Sequence, residues 1–261
     1  MPCAAQPRRN PPPAAAEVRN ALARKATAEA TGTALLVAIV VGSGIFAQRL
    51  SPNDVGLQLL ENSTATAGGL VALILAFGSV SGAHFNPVVS LVDRIFGGLT
   101  TRELSAYVPA QIAGACTGAI VANLMFDLDA VNVSHHTRAT SGLLLGEVVA
   151  TFGLVLVILG VVRSGRSSTA PFAVAGYIAA AYWFTSSTSF ANPAVTIGRT
   201  LSDTFAGIKP SSVPGFIVAQ IVGGLAAAAL AAFLYPNLKS VDVVVPHEHD
   251  LPAAHETKDN P

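Results

Sequence analysis

Charge is what this sequence has least of: 11% of its 261 residues are Asp, Glu, Lys or Arg, with 15 acidic and 15 basic side chains. A soluble domain carries roughly a quarter charged residues, so a water-facing globule is excluded. The formal net charge of zero leaves no basic surface for nucleic acid. Cysteine is scarce too: Cys3 lies in a polar tail and Cys116 in an apolar run, which supplies no disulfide framework. The phosphate-cradling pattern Gly-x-x-x-x-Gly-Lys-[Ser/Thr] does not occur, so nucleotide-driven pumping has no motif here. Nor does a catalytic constellation emerge: along the chain, no carboxylate and nucleophile frame His84, and His135-His136 with Asp127 and Asp129 read as a solvated polar cluster. His247-Glu248-His249 and His255 likewise read as a solvated tail. The chain is expected to be no enzyme and to hold no metal or cofactor.

What is there is apolar length. Hydrophobic residues make up 51% of the chain and the mean hydropathy is +0.55. Apolar stretches run over 26–48, 66–82, 104–126, 142–162, 170–188 and 212–235, each near the ~20 residues needed to cross a bilayer. The fold class is therefore an all-α membrane protein with six transmembrane helices. Residues 1–25, rich in Pro, Ala and Arg, read as a disordered tail with a short amphipathic helix from Glu17, and residues 236–261 as a second disordered tail. Arg8, Arg9, Arg19, Arg24, Lys25, Arg94, Arg102, Arg163, Arg166, Lys239 and Lys258 fall on one face, against Arg49, Arg138 and Lys209 on the other. The positive-inside rule then places both termini in the cytosol of a multi-pass plasma-membrane protein. Asn62-Ser63-Thr64 and Asn132-Val133-Ser134 match glycosylation sequons on the outer face.

The spans fall into two copies of one plan. Glu29-x-x-x-Thr33 matches Glu147-x-x-x-Thr151, Ala110-Gln111-Ile112-Ala113-Gly114 matches Ala219-Gln220-Ile221-Val222-Gly223, and Asn86-Pro87-Val88 matches Asn192-Pro193-Ala194. Three spans per copy, about 26–126 and 142–235, make the second copy upside down relative to the first. Each Asn is a good N-cap and each Pro suits the first helical position, so each Asn-Pro starts a helix in the middle of the membrane. Two re-entrant half-helices then aim their positive dipole ends and two Asn amides at one point. The segments leading into them, Gly82-Ala83-His84 and Thr188-Ser189-Phe190, cannot be helical just before Pro. Irregular backbone at this depth is tolerated where it lines a wet cavity. Gly82, Ala83, His84, Thr188 and Phe190 are therefore expected to present a ladder of carbonyl acceptors. Such a pore suits neutral molecules.

At these residues the chain resembles the aquaporin, or major intrinsic protein, family, whose signature is a duplicated Asn-Pro-Ala. The resemblance covers residues 26–235. It implies the aquaporin fold, a homotetramer in which every subunit has its own pore, and water and small neutral solutes as partners within the lipid bilayer. In that family the glutamates at the positions of Glu29 and Glu147 hold the re-entrant loops; a proton relay is the competing reading of an intramembrane acid. The pore centre falls at Asn86, Pro87, Val88, Asn192, Pro193 and Ala194. The family's arginine after the second signature is Val195 here, and family spacing puts the other selectivity-filter positions at Thr66, Ala180 and Ser189. All four are small, which implies a wide, uncharged filter short of strong donors. Arg199, one turn further on, reads as a charge paired at the helix flank. Residues 192–208 resemble a bacterial aquaglyceroporin branch associated with arsenic resistance. That implies a passive channel for arsenite, As(OH)3, and related polyol-like molecules such as glycerol, with water. The alternatives are a water and glycerol facilitator unrelated to arsenic, and a proton-coupled transporter.

Overall fold

A computed structural model describes residues 15–235. The described residues form eight α-helices and no strand: α1 (Ala15–Leu50), α2 (Val55–Ser81), α3 (Pro87–Phe96), α4 (Thr101–Met125), α5 (Ser141–Arg163), α6 (Ala170–Phe184), α7 (Pro193–Gly198) and α8 (Val213–Leu234). Five of them, all but α3, α6 and α7, are long and apolar enough to cross a membrane. The sixth spanning position belongs to α6, which has 15 residues.

Two boundaries differ from the hydropathy reading, for physical reasons. The predicted second span starts at 66, yet α2 starts at Val55 because its polar first turns are satisfied from within. Gln58 Nε2 donates to Ser51 O at 2.7 Å, and Asn62 Nδ2 to Val40 O at 2.8 Å and Ser43 Oγ at 2.9 Å. Asn62 is thereby buried inside the helix pair, so the first sequon is closed to glycosylation. The predicted fifth span reaches 188, but α6 stops at Phe184, and residues 185–192 become the approach to α7. The first helix begins at Ala15, two residues before the amphipathic helix expected from Glu17, and runs unbroken through the span expected from 26. Lys25 Nζ, 2.8 Å from Glu103 Oε1, ties it to the start of α4, where Thr100 and Glu103 form a capping box. The remainder of both tails, with the C-terminal histidines, lies outside the described residues.

The two halves are built alike. Helix α1 packs along α4 as α5 packs along α8, and the half-helices α3 and α7 sit between the halves. Glycine sets the closest approaches. A side chain at Gly114 would meet the carbonyl of Ala30, and one at Gly223 would meet that of Val148, the residues just after Glu29 and Glu147. Close backbone contact of this kind replaces the hydrophobic drive that lipid removes. Half-helix α3, with 10 residues, is about 15 Å long at 1.5 Å per residue, half a hydrocarbon core. Half-helix α7 has six residues and continues as the 3-10 turn Arg199–Leu201.

Replacing Gly114 or Gly223 with valine should therefore lower stability in detergent by about 1–3 kcal/mol, or about 3–10 °C in melting temperature. Gly68→Val, where nothing lies within 4 Å, is the matched control. Equal melting temperatures for all three variants would remove the close-packing account.

Candidate functional site: a central cavity between two re-entrant loops

Each half-helix starts where the sequence places an Asn-Pro pair. Asn86 and Asn192 are extended N-caps at φ −150° and −158°, with Pro at the first helical position. Asn86 Oδ1 accepts from Val88 N at 3.0 Å, while Asn192 Oδ1 accepts from Ala194 N at 3.0 Å and Val195 N at 3.2 Å. With the oxygens used for capping, both amide groups turn to the opposite loop. Asn86 Nδ2 donates to Ala191 O at 2.8 Å, and Asn192 Nδ2 donates to Phe85 O at 2.7 Å. An amide has two N–H donors, so each Asn keeps one to offer the cavity that both line. Pro87, Val88, Pro193 and Ala194 do not line it: they start the half-helices, and Val88 packs against Gly224 of α8.

The loops leading into the half-helices are strained in matching places. Ala83 and Phe85 have φ of 50° and 49°, and Ser189 and Ala191 have 51° and 47°, with Thr188 at 60° and Gly82 at 83°. Such left-handed backbone costs ~1–3 kcal/mol for each non-glycine residue. Two carboxylates hold it. Glu29 Oε1 accepts from Ser81 Oγ at 2.6 Å and His84 N at 3.0 Å, and its Oε2 from Phe85 N and Gln111 Nε2, both at 2.7 Å. Glu147 accepts from Phe190 N and Ala191 N at 2.9 Å, from Gln220 Nε2 at 2.6 Å and from Ser187. Hydrogen bonds to a charged acceptor are worth ~1.5–3 kcal/mol each, the size needed to hold the strain.

Gln111 and Gln220 complete the clamp. Gln111 Nε2 also donates to Ser90 Oγ at 3.0 Å and Gln220 Nε2 to Thr196 Oγ1 at 2.9 Å, one turn into each half-helix. In the sequence they show only as landmarks of the repeat. Their role needed the partners at Asn+4, Ser90 and Thr196, which no motif reveals.

The cavity has a volume of about 70 Å³, about two waters at the ~30 Å³ each takes in the liquid. One side of its wall is apolar: Leu36, Val40, Leu70, Ile74, Val89, Leu154, Ile158, Val174 and Ile178. The other side is the backbone of the two loops, through Ala83, His84 and Phe85 and through Ser189, Phe190 and Ala191. Gly82 and Thr188, expected in the carbonyl ladder, do not line it. Gly82 is the left-handed cap of α2, its N–H bonded to Gly78 O, and Thr188 N–H turns back to Thr185 O.

The ring of His84 faces away from the ladder. Its Nδ1 lies 3.0 Å from Ser90 Oγ, its Nε2 3.8 Å from Asp93 Oδ2, and it meets Tyr107 edge-on. The fold thus does bring a carboxylate and a hydroxyl to His84, contrary to the reading along the chain. All three groups are buried behind α3, and Ser90 is bound by Gln111, so the cluster braces the half-helix.

Of the expected filter positions, Thr66, Ser189 and Val195 line the cavity, and Ser189 Oγ is buried without a protein hydrogen-bond partner. Ala180 does not: it is exposed on the far side of α6. The cavity face of that helix is Val174, Ile178 and Tyr182, spaced four apart, and Tyr182 Oη lies 3.2 Å from Thr66 Oγ1. Nor is the wall uncharged. Arg199 is 2% exposed and lines the same cavity. Its Cζ sits 3.4 Å from the centre of the Phe190 ring and its Nε donates to Ala206 O. The expected acidic partner at the helix flank is absent from the ion pairs of the described residues.

Two loops close over this end. Arg138 stacks on Phe190 at 5.1 Å and donates from Nε to Gly207 O at 2.9 Å. His135 donates its backbone N–H to Asp203 Oδ1 at 2.9 Å, and its Nδ1 lies 3.0 Å from Oδ2. The backbone N–H and the ring of His135 hold the Asp203 carboxyl below the usual carboxylate range.

Comparison with known proteins agrees with this fold. The sequence profile of the major intrinsic protein family matches residues 17–189 and 168–257. Aquaglyceroporin AqpS of Rhizobium meliloti is 50% identical over 213 residues, 82% of this chain and 91% of that protein. Aquaporin AqpM of Methanothermobacter marburgensis is 32% identical over 249 residues, 84% of this chain and 98% of that protein. The X-ray structure of the aquaglyceroporin from Plasmodium falciparum aligns with a TM-score of 0.61 at 20% identity, covering 82% of this chain and 98% of that one, a likeness of fold.

Glu29→Gln or Glu147→Gln turns an amide donor toward N–H donors, and should cost about 2–4 kcal/mol of stability, with water flux lost as the loop slackens. A variant that folds normally, conducts normally and loses only a pH dependence would instead support a proton relay. The Asp203 tie has its own pH signature. A depressed carboxyl contributes stability above its unfolded value of ~4, and loses it as pH falls through the lower folded value. Protection from hydrogen exchange across residues 132–137, taken relative to the intrinsic rate at each pH, should stay high from pH 8 to 5, fall only below about pH 4, and be low at pH 7 in Asp203→Asn. Protection that is already lost between pH 8 and 6 would contradict the tie.

Proposed function

Because the chain belongs to the major intrinsic protein family, whose members are membrane channels and not enzymes, we propose that it is a passive channel passing glycerol-sized neutral polyols and arsenite, As(OH)3, together with water. One observation carries the reading: the family's filter arginine is Val195, in a cavity where Asn86 and Asn192 each offer a free N–H opposite an apolar wall. A neutral triol exchanges its hydration for these donors and the loop carbonyls while its carbon or arsenic side rests on leucine, valine and isoleucine. A cation has no such exchange, because two half-helix N-termini, each up to ~0.5 of a positive elementary charge, face the centre. The printed name of the Rhizobium relative, an aquaglyceroporin, supports passage of glycerol, and the run 192–208 supports arsenite. Coupling to protons finds no free oxygen on Glu29 or Glu147, since both oxygens of each accept hydrogen bonds. The reading includes a homotetramer in the plasma membrane with both termini cytosolic, supported by the basic-residue count and by exposed apolar side chains such as Phe46, Phe172 and Phe233.

Stopped-flow light scattering on proteoliposomes, with arsenite uptake read by mass spectrometry, tests this. Wild type should conduct water, glycerol and arsenite, and Val195→Arg should cut the two larger solutes at least ten-fold more than water. Glycerol flux without arsenite flux would leave a facilitator unrelated to arsenic; no flux of either would refute the polyol pore.

A further inference from the structure

The cavity wall carries one full charge that the family pattern does not call for. Arg199 stands seven residues after Asn192, where the arginine of related channels stands three residues after it. Its position follows from how α7 ends. The helix stops at Gly198, which lies against the Ala115 carbonyl too closely for any side chain, and the chain tightens into the 3-10 turn Arg199–Leu201. The long side chain of Arg199 then lies over the Phe190 ring, and its Nε reaches the Ala206 carbonyl. Phe190 itself is fixed by Phe216, ring centres 5.2 Å apart, and by Arg138 at 5.1 Å. The ionisable groups that the Arg199 charge feels are Tyr182, Arg138 and Glu147. Glu147 is committed to the loop N–H groups and Gln220, so among the described residues no acid neutralises the guanidinium by direct contact.

We infer that Arg199 is the specificity-determining cation of this pore: it reaches from one turn beyond Val195 and rejects protons and other cations, while the space at Val195 stays open to bulky neutral solutes. A stacked guanidinium suits the task. Stacking and the Ala206 carbonyl fix its plane at the wall, and its remaining N–H donors face the cavity that Ser189 and Tyr182 also line. A buried charge facing a cavity enclosed by protein is weakly screened, so its repulsion of a passing cation is far stronger than at a surface. The division of labour differs from an arginine at position 195, where one side chain would set both charge and width.

The inference rests on the channel reading, and the test separates the two. Proteoliposomes are assayed for glycerol flux by light scattering and for proton leak with an entrapped pH dye, in wild type, Arg199→Gln, Arg199→Lys and Val195→Asp. Arg199→Gln keeps a donor for the Ala206 carbonyl without the charge. Val195→Asp keeps Arg199 and its contacts, and pairs it with a near-isosteric acid one turn away. Both should leak protons at least ten-fold faster than wild type, with glycerol flux retained in Arg199→Gln, whereas Arg199→Lys should stay tight. Either neutralised variant conducting glycerol with a wild-type leak would overturn the assignment, as would equal leaks in Arg199→Lys and Arg199→Gln. Loss of glycerol flux in both neutralised variants would make Arg199 an architectural residue and overturn it too. If wild type itself passes no glycerol, the failure belongs to the channel reading.

Discussion

Everything in this molecule depends on two buried carboxylates that accept the hydrogen bonds of the re-entrant loops. A re-entrant loop exposes backbone N–H groups where no water is available, and it bends through left-handed conformations that alanine, phenylalanine, threonine and serine adopt only at a cost. Glu29 and Glu147 each take four hydrogen bonds at that place, two of them from the loop backbone. With the loops held, the half-helices point inward, and only then do Asn86 and Asn192 reach across to the Ala191 and Phe85 carbonyls of the opposite loops.

The same constraint explains the chemical character of the cavity. A backbone forced to be irregular must show its carbonyls to something, so one wall is polar; the spanning helices supply the apolar wall opposite. The inverted repeat means that this is built twice, with the same members in each half: Glu, Ser, Gln and a hydroxyl at the second turn of the half-helix. Departures from symmetry are then informative. The first half adds His84 and Asp93 behind α3, while the second replaces them with the stacked Phe190, Arg138 and Arg199 at one end of the cavity.

Much of this was legible along the chain. The Asn-Pro pairs and the inverted halves follow from local rules: capping, proline geometry, hydropathy and count of spans; the two glutamates show as matching positions of the repeat, and their loop-holding role comes from the family resemblance. What was not legible depends on rotation or on distant partners. Helix α6 is apolar nearly all round, so nothing in it marks Tyr182 rather than Ala180 as facing the cavity. The early start of α2 was hidden because Gln58 and Asn62 look solvent-facing until Ser51 and Val40 are placed beside them. Arg199 reads as a flank charge by its spacing, and becomes a wall residue only because Phe190 lies under it.

The central claim is that the intramembrane acids are structural and the flux through the cavity is uncoupled. The most direct measurement is glycerol distribution at equilibrium in proteoliposomes held with a proton gradient and a membrane voltage. Uncoupled passage predicts equal glycerol concentrations inside and out, whatever the sign or size of the gradient. Accumulation of glycerol that follows the proton gradient, and collapses with an uncoupler, would contradict it.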